Sequence, residues 1–444
     1  MYRLQNSVRN YAWGSETALA EILHTTPSGK PEAELWIGAH PDAPSVVLSE
    51  GARAGQPLDA AIEDDAERML GSAREQFGHL PFLMKLLCAA QPLSIQVHPT
   101  QEQAQAGFAR EDAAGIPRDA ANRNYKDANH KPEMIFALTR FDALCGFAPV
   151  RETAELFEAW ATFLETQQAL SLDTTTIPIL NAATSRDEIV NADRAVDQAR
   201  SLAGLLVGSD SDENALQDTF SLILKGGTGV RALASTAPLL ASAGAKLPAR
   251  LVELAEIAKI HPGDPGLVVS LLLNRVSLMP GETIYLPAGN VHAYLRGTGV
   301  EVMASSDNVL RGGLTAKHID LNELVSTVNF SVVDVPHVEA HLTDLGQELY
   351  QPPFDEFQLQ RIELSPTEMP SGGDVVLAQS GPAVVLVTRG SLLLQSPTST
   401  LELKVGESAF VPAAESPVVI RSAGPEGGTA FATTVSEASP TPPL

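Results

Sequence analysis

The sequence predicts a mainly β protein in which two copies of one β-sandwich or barrel unit carry an inserted block of helices. Three observations predict this. Short apolar runs, partly β-branched and separated by Pro or Gly, fill the first 150 residues and return after residue 262. Helical periodicity occupies the stretch between them. A faint repeat links the two later β regions: Pro280-Gly281-Glu282-Thr283-Ile284-Tyr285-Leu286-Pro287 is echoed by Val405-Gly406-Glu407-Ser408-Ala409-Phe410-Val411-Pro412.

In chain order, the β-like runs of residues 1–150 are ELWIGA, SVVLSE, LSIQVH and EMIFAL, with a helix expected over 61–77. From residue 151 the texture changes. Leu156, Phe157, Trp160, Phe163 and Leu164 fall at i, i+1, i+4, i+7 and i+8, one face of a helix. Leu251, Leu254 and Ile257 close the same pattern, so 151–262 reads as a helical insertion nearly devoid of catalytic groups. HPGDPG breaks the helices, and VSLMPG, ETIYLP and VEVMAS resume the strands. The expected domains are 1–150 plus 263–330, a discontinuous metal-binding catalytic unit; 151–262, the insertion; and 331–435, a metal-free second copy. Residues 436–444 are expected to be a flexible tail. Where the first repeat has His292 the second has Pro417, so the later copy is read as structural.

Composition narrows the function. A chain of 444 residues, 44% hydrophobic and 19% charged, describes an ordinary globular protein too long for one core. Its formal charge of -24 argues against nucleic acid and anionic membranes as partners. It also means that any phosphate site must be a local basic cluster. Cys88 and Cys145 sit in apolar runs and read as core thiols. No secretory signal and no run long enough to span a bilayer is visible, so a cytoplasmic protein, and a monomer, is expected.

Four segments carry the chemistry. In Gln91–Pro99, strand alternation puts Gln96 and His98 on one face and Ile95 and Val97 on the other. Polar groups between apolar neighbours need partners, and a metal is one way to supply them. In Asn129–Phe136, Lys131 and Glu133 share a face, and Pro132 places the stretch at a sheet edge or a strand's first residues. In Pro287–Tyr294, a Pro-x-Gly turn delivers His292 onto the next strand, as in the second half of the metal-binding pattern of cupin barrels. One amide oxygen, two imidazoles and one carboxylate suit Zn2+ first, with Fe2+, Mn2+ or Co2+ left open. The fourth segment, Gly299–Lys317, ends a β-like run at Arg311-Gly312-Gly313, a guanidinium beside a permissive turn, suited to an oxyanion or phosphate.

QPLSIQVHP, NHKPEMIFAL, PAGNVHAY and SDNVLRGGLTAK, with YAWGS and ELWIGAHP near the start, resemble in order the signature segments of type I mannose-6-phosphate isomerases, members of the cupin superfamily. The resemblance covers about residues 1–330. It implies cupin (jelly-roll) barrels and one zinc ion per chain on Gln96, His98, Glu133 and His292. It implies a catalytic role for Arg311 and further site positions at Lys85, His130, Lys131, Glu301 and Asp307. The implied reaction interconverts D-mannose 6-phosphate and D-fructose 6-phosphate by metal-assisted proton transfer between C1 and C2 through an enediolate. A hydride shift is the rival route.

Lys85, in the apolar run PFLMKLLCAA, must snorkel or meet an anion. The candidate bases are Glu301, Asp307, His130 and Lys131 with a depressed pKa, and proximity of Lys85 or Lys131 to the metal would help to depress a lysine pKa. Lys317, Arg311 or the Ser94 hydroxyl is expected to take the phosphate. His40, His318, Trp13 and Trp36 read as core or surface residues. Two other classes remain: an Fe2+ cupin oxygenase, which would consume oxygen, and a non-catalytic sugar-binding cupin, which predicts decayed ligands.

Overall fold

The structure is a computed structural model that describes residues 1–48, 51–172, 186–343, 347–364 and 374–436. It is rich in antiparallel sheet with helical regions. The first sheet system is built from β2 (Ser7–Arg9), β3 (Glu34–Gly38), β5 (Phe82–Ala89), β6 (Ile95–Val97), β7 (Glu133–Ala137), β8 (Phe141–Phe147), β9 (Leu273–Leu278), β10 (Thr283–Leu286), β11 (His292–Ala304) and β12 (Leu310–Gly313). The 13-residue β11 is its spine, pairing with β6 and β8 at its start and with β5 and β7 along the rest. Residues on one strand that is shared by two groups of partners can face one site, and this arrangement brings distant segments together.

The second sheet system holds the strands between His341 and Thr434, and it also takes in β1 (Tyr2–Gln5) and β4 (Val46–Val47). Tyr2 lies opposite Phe410, and Leu4 opposite Val47. Residues 2–47 therefore give strands to both sheets instead of to the first alone. The sheets share a core in which Phe136 meets Phe431 and Tyr350 edge-on, with ring centroids 5.0 and 5.3 Å apart. The repeated Gly-Glu-hydroxyl starts fall at equivalent places: Gly281 and Gly406 both take positive φ before the strands Thr283–Leu286 and Ser408–Val411. The tail expected over 436–444 lies, from residue 437 on, outside the described residues.

Between β8 and β9 the chain is helical: Val150–Leu172, Arg186–Gly208, Asp212–Lys225, Thr228–Thr236, the 3-10 turn Ala237–Lys246 and Ala249–Ile260. Phe157, Trp160 and Leu164 are buried, as their periodicity predicts. This core continues under β6, where Ile95 and Val97 join it. One face of β6 is thus sealed by helices, which leaves Gln96 to the other. The single helix expected over 61–77 is three short ones, Leu58–Glu63, Ala66–Leu70 and Ala73–Phe77, broken where Asp65 leaves helical φ/ψ and again where Gly71 takes φ +57°. Pro132 precedes the first residue of β7, but β7 is no edge, since β10 and β11 flank it on both sides. Cys88 and Cys145 are free and buried.

Candidate metal centre

Cross-strand register assembles the site. Arg311 of β12 lies opposite Gln96 of β6, and Gln96 lies opposite His292 of β11, so three side chains from three segments share one face. His292 reaches this place because Gly289 accepts φ +77° in the Pro287–Asn290 turn, whose amide at Gly289 donates to the His98 carbonyl at 2.9 Å. Just past His98, Thr100 and Gln103 form a capping box that starts the helix Gln101–Ala113 and so ends β6 sharply. Gln101 in turn accepts from the His130 amide and donates to the Ala128 carbonyl, anchoring the approach to β7.

His98, Glu133 and His292 are sealed from solvent, and one ligand-type atom from each lies within 4.8 Å of the others. The ring nitrogens are sorted by their partners. His98 Nδ1 donates to the Asn308 carbonyl at 2.7 Å and His292 Nδ1 to the Asn290 carbonyl at 3.0 Å, which leaves each Nε2 as a lone pair. Nε2 of His98 then faces Glu133 Oε1 at 3.2 Å, and Nε2 of His292 faces Glu133 Oε2 at 3.4 Å. His98 Nε2 and Glu133 Oε2 are buried without a hydrogen-bond partner. Acceptors facing acceptors repel unless a cation lies among them, so the donor set fits a divalent metal. The Gln96 amide stands 3.2 Å from His292 Nε2, and half a turn about its last bond presents the carbonyl oxygen there as a fourth donor.

Charge around the cluster supports this. Burial pushes the His98 imidazole down to about 4, which keeps it neutral and ligand-competent. Burial alone would raise Glu133, but Lys131, with Nζ 3.1 Å from its Oε1, helps to hold the carboxyl well below the usual range.

Lys85 is buried on β5 opposite both Trp36 and Glu301, with Nζ 2.8 Å from Glu301 and 3.7 Å from Glu34. Burial lowers the pKa of this lysine, yet the carboxylates outweigh it and the net shift is upward. Glu301 and Glu34 thus favour the ammonium form of Lys85. The Glu301 carboxyl is raised as well, here by burial, which Lys85 offsets only in part. Tyr294, two residues after His292, is buried beside Glu301 and Glu133, and its phenol is held well above its ordinary pKa by burial first.

Arg311 is half-buried, with its pKa lowered by burial. Burial also lowers Lys317, and Arg311 and Lys126 lower it further, so these three cations stand close together. Among the described residues none of them has an anionic partner. In a chain of charge -24 such a local group of cations has the charge to hold an anion. Ser94 is half-buried immediately before β6.

The remaining expected residues point elsewhere. Asp307 is held by Arg118 at 3.1 Å and by His40 at 3.5 Å, and His40, read above as core or surface, is buried edge-on to Trp36. His130 Nε2 meets Glu356 Oε1 at 2.5 Å, on a segment of the second sheet system. Three residues near the cluster were not singled out, Glu34, Tyr294 and Lys126, and His40 was set aside. Alternation in ELWIGA puts the acid Glu34 on one face with Trp36, the signal that flagged Gln96, and Trp36 Nε1 donates to Glu34 at 2.7 Å. Lys126 is a loop lysine with no such signal.

Known proteins resemble the chain closely. Residues 1–150 match the family model described as the phosphomannose isomerase type I catalytic domain. Mannose-6-phosphate isomerase of Escherichia coli (strain K12) is 40% identical over 434 residues, 96% of this chain and 98% of that protein. Mannose-6-phosphate isomerase 1 of Arabidopsis thaliana is 30% identical over 93% of this chain and 89% of its own. A crystal structure of a mutant phosphomannose isomerase from Salmonella typhimurium superimposes with a TM-score of 0.80 at 35% identity, covering 98% of this chain and 100% of that one. A zinc-bound holo mannose 6-phosphate isomerase gives 0.78 at 35% identity, covering 97% and 98%.

Proposed function

We propose that this chain, which belongs to the type I mannose-6-phosphate isomerase family, interconverts D-mannose 6-phosphate and D-fructose 6-phosphate as a zinc-dependent aldose–ketose isomerase. The observation that carries the reading is the inward-facing lone pairs of His98, Glu133 and His292, an arrangement that needs a cation at its centre. Gln96 completes the ligand set. Zinc held there supplies Lewis-acid stabilisation of the negative charge that develops on the sugar oxygen, worth several kcal/mol. An iron oxygenase and a non-catalytic sugar-binding protein have no support among the relatives.

Arg311 adds a fixed positive charge to the developing enediolate, since its β12 position opposite Gln96 sets it at the edge of the ligand face. Lys317, joined by Lys126, takes the phosphate, and Ser94 supplies a hydroxyl beside it. Glu301 is the favoured proton carrier between C1 and C2: burial weakens its acidity, so it accepts and returns a proton more readily than an exposed carboxylate. Lys85 keeps Glu301 oriented. Lys131 orients Glu133. Asp307 and His130, tied to Arg118 and Glu356, act at one remove.

We read the two sheet systems as two cupin barrels, with 151–262 inserted between strands of the first and the second copy metal-free; the matched turns at Gly281 and Gly406 support this. A cytoplasmic monomer that engages neither nucleic acid nor membrane completes the reading. The charge of -24 argues against polyanionic partners, and among the described residues no helix is long and apolar enough to cross a membrane.

The test is a coupled assay for fructose 6-phosphate made from mannose 6-phosphate, before chelation, after it, and after zinc is restored. Activity should vanish and return, and His292→Ala should lose both metal and turnover. Activity that persists in metal-free protein refutes the reading. In tritiated water, label should enter at C1 or C2; none is expected from a pure hydride shift.

A further inference from the structure

The two imidazoles of the cluster acquire their orientation in different ways. His292 donates Nδ1–H to Asn290, two residues back in its own turn. His98 has no local acceptor and donates to the carbonyl of Asn308, 210 residues away in sequence. We propose that the Asn308 side chain is a positioning residue for the metal centre, holding its own carbonyl where it fixes His98 with Nε2 toward the cation. The proposal rests on the reading that His98 is a zinc ligand.

Asn308 is wholly buried, and its amide is fully used. Oδ1 accepts from the amides of Lys126 at 2.7 Å and Asp127 at 3.3 Å. Nδ2 donates to the carbonyls of Asp127 and Asn129, both at 2.8 Å. The side chain thus closes 126–129 around itself. Asp127 tightens the same knot from the other side: its carboxylate accepts from the Asn129 amide, the Ser306 hydroxyl and the Asp307 amide, at 3.0, 2.8 and 2.8 Å. All of these bonds but the one between Asp127 and Asn129 join the loop before β12 to the loop before β7. The first loop presents the carbonyl that orients His98, and the second runs directly into Lys131 and Glu133. One buried amide therefore sets an imidazole and the approach of the carboxylate together. Second-sphere acceptors of metal-bound histidines fix tautomer and ring angle, and their loss weakens metal affinity about 10–100-fold.

Zinc affinity, measured by competition with a chromogenic chelator, is compared among the wild type, Asn308→Ala, Asn308→Ser and His98→Gln. Asn308→Ala should bind zinc roughly 10–100-fold more weakly, with Asn308→Ser in the same direction. Histidine-selective 15N labelling of the zinc-loaded protein supplies a second reading. Wild-type His98 should carry its proton on Nδ1; in the Asn308 variants that proton should exchange with solvent, while the Nδ1–H of His292 stays protected. Unchanged zinc affinity in both Asn308 variants, or wild-type His98 bound through Nδ1, overturns the proposal. If His98→Gln itself binds zinc normally, the metal-site reading fails with it. If His98→Gln loses zinc and the Asn308 variants do not, this proposal fails alone. Should neither Asn308 variant fold, the wild-type spectrum still decides.

Discussion

Replacing Lys85 with methionine keeps the stem of the side chain and deletes its charge. Lys85 Nζ lies 2.8 Å from Glu301 and 3.7 Å from Glu34, and all three side chains are under 10% exposed. The substitution leaves two buried carboxylates without their counter-ion. Removing one partner of a buried ion pair costs about 3–5 kcal/mol, because the remaining charge is not resolvated. At roughly 2 °C per kcal/mol for a unit of this size, the melting temperature should fall by about 6–10 °C. The deficit should depend on pH with a definite sign. Glu301 is already raised by burial, and without Lys85 it rises further. As pH falls toward the ordinary carboxylate range the folded variant then takes up a proton before the unfolded chain does, so stability is regained as pH falls and lost as pH rises. Lys85→Met with Glu301→Gln should recover much of the loss at neutral pH. The assay is a melting curve for each variant from neutral pH down to that range. A Lys85→Met protein as stable as the wild type, or a deficit indifferent to pH, refutes the assignment of Lys85 as a charged structural partner of Glu301.

Two further substitutions separate metal, oxyanion and phosphate. Arg311→Ala should retain zinc by elemental analysis yet lose about 100–1,000-fold in kcat, the usual effect of deleting an oxyanion-stabilising group; zinc loss would point to a structural role instead. Lys126→Ala should raise KM and the inhibition constant for inorganic phosphate together, by about 10-fold or more for one charge-assisted hydrogen bond, with kcat little changed. A fall in kcat at constant KM would remove Lys126 from the phosphate arm.

The candidate ligand positions on two of the three segments were legible in the sequence from local features. Gln96 and His98 alternate with Ile95 and Val97, and the structure resolves that by sending the apolar pair into the helical core. His292 follows a turn that Gly289 makes permissible. Lys85 was flagged as a buried charge, but not the sign of its shift, which depends on Glu34 and Glu301 flanking it across two neighbouring strands. Lys126 and Asn308 were invisible for a related reason. A loop lysine and a buried asparagine have ordinary surroundings in sequence, and only their through-space partners distinguish them.

Local chemistry alone thus pointed to the residues that want a cation and to where helices replace strands, and composition argued against polyanionic partners. Those properties follow from period, turn geometry and composition, each a matter of a few consecutive residues. Register decided the rest. Only strand pairing could place Arg311 opposite Gln96 and Gln96 opposite His292, assign His98 its tautomer through Asn308, and surround Lys85 with carboxylates. Electrostatic and hydrogen-bond energies depend on separations of a few ångströms between groups hundreds of residues apart, distances that exist only once the chain has folded.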